Sequence, residues 1–141
     1  MIALDTNMLV RLYVDDGDRQ SEKQRAIVVK VLSAAGELFV AKTVMLELEW
    51  VLRGYYKFDR EQIANAFTHL LGLENIVIED ESVVTEAVTH YRKGLDFADS
   101  MHCASSSHSK RMLTFDRKFV TRAKRSGVKL AISVPDQASV F

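Results

Sequence analysis

The chain has 141 residues and a mass of 16.0 kDa, with 19 Lys and Arg against 19 Asp and Glu. Apolar residues at 48% and charged residues at 27% exclude a disordered or collagen-like chain, and no strictly apolar run exceeds four residues, far short of the roughly 20 that a membrane-spanning helix needs. The formal neutrality hides a division: residues 1–100 hold 17 acids and 11 bases, whereas residues 101–141 hold 2 acids and 8 bases.

The length suits one domain over 1–141 with a core that needs no disulfide or structural metal. A single cysteine, Cys103, suits a reducing cytosol and has core packing as its expected role. No basic segment leads into an apolar core near Met1, so a soluble, cytoplasmic chain without a secretory signal is expected.

Short apolar runs alternate with longer segments of helical period, the pattern of a mostly parallel sheet covered by helices. In chain order the pattern predicts a strand over Ile2 to Asp5, helices over Asn7 to Val14 and Arg19 to Ala35, and a second strand over Leu38 to Ala41. Helices over Val44 to Tyr56 and Arg60 to Leu71 and a strand over Ile76 to Glu79 follow. The remainder reads as helices over Ser82 to Lys93 and Phe97 to Ser107, a strand over Arg111 to Thr114, a helix over Arg117 to Ser126 and a strand over Lys129 to Ile132. Gly36 and Gly94 sit where helices end, and Asp59 and Asp80 where helices begin. In such a sheet ligands bind at the carboxyl ends of the strands.

Acids recur at those ends. Asp5 closes the first strand, expected to be a central one, and Asp116 closes the fourth. Asp96 and Asp99 open a helix, and Asp96 fits the role of its cap. Glu47 lies inside a helix. With it at 0° on a helical wheel, Val51, Val44, Tyr55 and Leu48 fall within about 100° on one side and Trp50 about 60° away on the other. A charge so flanked is costly without a purpose, so Glu47 is assigned to a site and Glu49, an i,i+4 partner for Arg53, to the surface.

If Asp5, Glu47, Asp99 and Asp116 converge, they repel: two carboxylates about 4 Å apart cost on the order of 4 kcal/mol at an effective dielectric of 20. Hard divalent cations answer that repulsion, and all-carboxylate ligation favours Mg²⁺ or Mn²⁺ over zinc. The histidines His69, His90, His102 and His108 show no zinc spacing.

Four segments together resemble the PIN-domain ribonucleases, and among them the VapC-type toxins of toxin–antitoxin modules: Met1-Ile2-Ala3-Leu4-Asp5-Thr6-Asn7, Leu46-Glu47-Leu48-Glu49-Trp50-Val51-Leu52, Asp96-Phe97-Ala98-Asp99 and Leu113-Thr114-Phe115-Asp116-Arg117-Lys118-Phe119. The resemblance implies a three-layer α/β/α sandwich with a mostly parallel central sheet, and Mg²⁺- or Mn²⁺-dependent RNA cleavage. It places metal binding and catalysis on Asp5, Glu47, Asp99 and Asp116, with Asp96 as a further acid and Asn7 and Thr114 as polar support. It also implies a homodimer and a cognate antitoxin whose C-terminal segment covers the acidic pocket, for which the aromatic stretch from Trp50 to Phe58 is the candidate surface. An acidic pocket repels RNA, so basic groups must hold the strand; Arg117, Lys118, Arg122, Lys124 and Arg125 are the candidates.

Three alternatives stay open. Another PIN nuclease, maturing RNA or cutting DNA, would carry the same acids. A receiver-like signalling domain also gathers acids at a sheet mouth, but would want adjacent acids after the first strand and a phosphoacceptor near Asp80. A phosphatase with an Asp nucleophile would place a second Asp where Asn7 stands.

Overall fold

The computed structural model describes residues 1–34 and 36–136. The chain divides into two compact units, Met1–Glu81 and the remainder from Ser82.

The first unit contains β1 (Ile2–Ala3), α1 (Thr6–Tyr13), α2 (Arg19–Ala34), β2 (Leu38–Val40), α3 (Lys42–Gly54), α4 (Arg60–Gly72) and β3 (Ile76–Ile78). Helical crossovers between successive strands make parallel pairing possible, and both pairings are parallel: Ile2 stands opposite Leu38, and Leu38 opposite Ile76. The order is β1-β2-β3. β2 therefore holds the centre of this sheet, a place the sequence reading gave to the first strand. The burial explains the exchange, because Leu38 and Val40 are fully buried whereas Ile2 and Ala3 of the two-residue β1 are exposed.

The helices bury one stripe each. Ile63, Phe67 and Leu70 repeat at helical spacing on α4, and Met45, Leu48 and Leu52 do so on α3, all fully buried. Asp59 starts α4 through a reciprocal capping box, its carboxylate accepting from the Gln62 N–H at 2.8 Å while Gln62 Oε1 accepts from the Asp59 N–H at 2.9 Å. α3 begins two residues earlier than predicted. Its N-cap position, Ala41, supplies no side-chain bond; instead Glu79 Oε1 accepts from the Lys42 N–H at 2.9 Å across 37 residues of sequence. The predicted end of the second helix at Ala35 lies outside the described residues.

The second unit contains α5, which begins at the boundary (Glu81–Arg92), α6 (Phe97–Ser105), β4 (Met112–Leu113), α7 (Arg117–Arg125) and β5 (Ile132–Ser133). Gly94 has φ 112°, a conformation natural to glycine, and turns the chain out of α5 into Leu95 and the cap Asp96. Leu95, Cys103, Phe119 and Ala123 form a buried cluster joined by Met112, Val128 and Ile132. Cys103 is core, as expected. β4 and β5 pair in parallel, Met112 opposite Ile132. β5 starts later than the predicted Lys129, because the end of α7 still claims that chain: Gly127 turns at φ 81° and the Val128 N–H bonds back to the Ala123 carbonyl at 3.0 Å. Every described pairing is parallel, which agrees with the predicted α/β class.

Candidate metal centre

In the first unit, the end of β1 delivers Asp5 to the start of α1, where its Oδ1 accepts from the Thr6 N–H at 2.7 Å. Thr6 is buried, and its hydroxyl donates to Glu47 Oε1 from α3. One residue thus ties both acids, by its backbone on one side and its side chain on the other. Asp5, Thr6, Asn7 and Glu47 line one cavity of about 550 Å³, walled further by Arg11, Gln24, Ile27, Val51 and Tyr56.

The choice between the acids of α3 came out differently from its premise. Glu49, assigned to the surface, is 5% exposed, and its Oε2 lies 2.8 Å from Arg53 Nε. Glu47 is exposed, because Trp50 at 62% and Tyr55 at 74% do not enclose it. The helix turns Met45, Leu48, Glu49 and Leu52 inward, an i, i+3, i+4, i+7 stripe that includes the ion-paired acid. Glu47 nevertheless is the one that lies with Asp5.

In the second unit, Asp96 caps α6 with Oδ2, 3.4 Å from the Asp99 N–H, and Asp116 caps α7 with Oδ1, 3.1 Å from the Phe119 N–H. Thr114 shapes the turn before α7, its Oγ1 accepting from the Asp116 N–H at 3.0 Å. Asp99 is partly buried, and that burial raises its carboxyl above the usual carboxylate range. Asp96 and, more weakly, Asp116 push the same way, against His102 and Arg122. These three acids thus share one electrostatic neighbourhood. Arg117, Lys118, Arg122, Lys124 and Arg125 are all exposed on α7, while Phe119 and Ala123 anchor its inner face.

Among the described residues, no group of three or more His, Cys, Asp or Glu side chains already stands as a metal shell. The acids form two sets, Asp5 with Glu47 and Asp96 with Asp99 and Asp116, one in each unit. Their chemistry fits a hard divalent ion: every donor is an oxygen, and the burial that mainly raises Asp99, with the smaller push from Asp96, is a cost that a cation relieves. Thr6 is the residue that sequence reasoning passed over. Its signal was its place beside Asp5 at a strand-to-helix junction, but its partner Glu47 is 41 residues away.

Carboxylates at strand ends and helix starts of a parallel α/β chain define a protein suited to hold hard cations. The PIN domain family model matches residues 2–125, across both units, and the chain belongs to that family. PIN domains are in general nucleases that need a divalent metal ion. Comparison with curated proteins gave no match to this chain. No helix among the described residues is long and apolar enough to cross a membrane.

Proposed function

We propose that the protein is a Mg²⁺- or Mn²⁺-dependent endoribonuclease and the toxin of a toxin–antitoxin pair. The observation that carries the reading to RNA is the composition of α7. The helix starts on a site acid, Asp116, and continues as an exposed row of Arg117, Lys118, Arg122, Lys124 and Arg125, so cation-binding and phosphate-binding groups share one element.

The residues that would hold such an ion are Asp5 and Glu47 in the first unit and Asp96, Asp99 and Asp116 in the second. The chemistry that a divalent ion would supply at these carboxylates is a lowered pKa for an attacking water and an offset for charge on the scissile phosphate and its leaving oxygen. The chain's own residues do the rest. Thr6 fixes the carboxylates of Asp5 and Glu47. Asn7 lines the same cavity, with an amide that can donate to a phosphate oxygen or a water. Thr114 fixes the turn that presents Asp116. The basic row of α7 grips neighbouring phosphates outside the acidic region and sets the strand's path. Hydrolysis in line, breaking the bond from phosphorus to the 3′ oxygen, leaves 5′-phosphate and 3′-hydroxyl ends.

The partner surfaces belong to the same reading. Trp50 and Tyr55 are exposed on and just after α3, and Tyr56 walls the cavity that holds Asp5 and Glu47. An antitoxin segment laid on this stretch would shut that cavity, and a second copy of the chain would form the homodimer. The test is cleavage of total RNA by purified protein freed of any partner. Activity is expected with Mg²⁺ or Mn²⁺, and loss is expected with excess EDTA or in Asp5→Asn and Asp99→Asn. Full activity in EDTA, or in both variants, would overturn the reading.

A further inference from the structure

Phe115 is 85% exposed, the most exposed large hydrophobic side chain among the described residues. An aromatic ring left in water forgoes the burial that usually stabilises it, but single exposed apolar residues are common, so it is the ring's setting that points to a partner. The backbone around it is fixed. Before it, the Thr114 N–H bonds to the Ser133 carbonyl at 3.0 Å; after it, the Asp116 N–H bonds to Thr114 Oγ1 and the Asp116 carboxylate caps α7. The ring therefore projects from a pinned turn, directly between two residues of the candidate site.

The charges around it identify the partner. Asp116 follows it and shares the neighbourhood of Asp99, while Arg117 and Lys118 begin the exposed basic row immediately afterwards. A protein docking on the ring would have to desolvate these unlike charges. A nucleotide instead meets the ring with a flat base and Arg117 and Lys118 with a phosphate. We propose that Phe115 is a stacking platform for the nucleobase next to the scissile phosphate. The inference rests on the ribonuclease reading above.

The test uses a 12-nucleotide single-stranded RNA carrying one 2-aminopurine, bound to the full chain in an Asp5→Asn background with Mg²⁺ present. Phe115→Ala is expected to weaken binding between about fivefold and about 150-fold and to abolish the fluorescence quenching that stacking causes. The slope of affinity against salt should stay unchanged, because no ionic contact is lost. Phe115→Trp should restore binding and quenching. Phe115→Leu, apolar but without a ring, should restore neither. On a blunt RNA duplex the loss should vanish. Wild-type affinity in Phe115→Ala, or equal rescue by Leu and Trp, overturns the proposal. So does intact RNA binding with a changed mass in sedimentation, which would make the ring a protein contact. Wild-type cleavage is measured alongside: if the wild type cuts RNA while the Phe115 variants match it, stacking falls and the nuclease reading stands. If the wild type neither binds nor cuts RNA, both fall.

Discussion

Thr6 offers the sharpest check on the site geometry. Thr6→Val keeps the buried shape of the side chain and the N–H that Asp5 accepts, and removes only the hydroxyl that donates to Glu47. A hydrogen bond to a charged group contributes about 1.5–3 kcal/mol, but Glu47 is exposed and water replaces the lost donor. The stability loss should therefore stay near about 1 kcal/mol, or about 4 °C in Tm for a chain of this size. The effect on metal should be larger in proportion. Residues that orient a ligand typically change affinity about 10- to 100-fold when removed. Mn²⁺ binding followed by calorimetry should weaken by that factor in Thr6→Val and recover in Thr6→Ser, with cleavage following the metal titration. A Thr6→Val protein that binds Mn²⁺ within about twofold of wild type would refute the idea that Thr6 orients Glu47.

Two further expectations follow from the same geometry. Replacing Arg122, Lys124 and Arg125 together should weaken single-stranded RNA binding and flatten the plot of log affinity against log salt by about 0.7 for each lost phosphate contact, with Mn²⁺ affinity intact; an unchanged slope removes α7 from the interface. Burial, with Asp99 and Glu86 adding to it, pushes the Cys103 thiol from 9.0 up to about 11. Native protein at pH 8 should then react with iodoacetamide far more slowly than urea-unfolded protein, and equal rates would contradict the core placement. Because the folded value is the higher one, this contribution to stability is full below pH 9 and is lost as pH rises through 11; Cys103→Ala should flatten that part of the alkaline stability profile.

Most element positions were legible because apolar residues repeat at the right period: Ile63, Phe67 and Leu70 mark α4, and Leu38 and Val40 mark β2 without any tertiary information. What local pattern missed depended on distant partners. The start of α3 is supplied by Glu79, and the end of α7 reaches to Val128 and delays β5. The two acids of α3 show the limit most clearly. Apolar neighbours on a wheel predicted that Glu47 would be enclosed, but Trp50 and Tyr55 point to solvent while Glu49 goes inside, paired with an Arg53 that stays exposed. A wheel reports which residues share a face and is silent on which face turns inward when a helix has apolar residues on both. Glu47 stands with Asp5 for a reason the wheel does not contain, the hydroxyl of Thr6.

The sequence set acids that cap helices against acids that would bind metal, yet the capping bonds leave both roles open to the same carboxylates. Asp5, Asp96 and Asp116 all cap, accepting from the N–H groups of Thr6, Asp99 and Phe119 through one carboxylate oxygen each. The second oxygen of each accepts no hydrogen bond from another described residue. A cap therefore leaves half of the carboxylate available and fixes its direction, which is what a ligand needs. The helix ends contribute positive partial charge of their own, which attracts each capping carboxylate. Asp99 has its carboxylate in the first turn of α6 without being the cap. Burial and, after it, the neighbouring Asp96 raise its proton affinity. On this division of labour the caps Asp5, in the first unit, and Asp96 and Asp116, in the second, would fix the direction of their carboxylates, while Asp99 would add a further one beside Asp96.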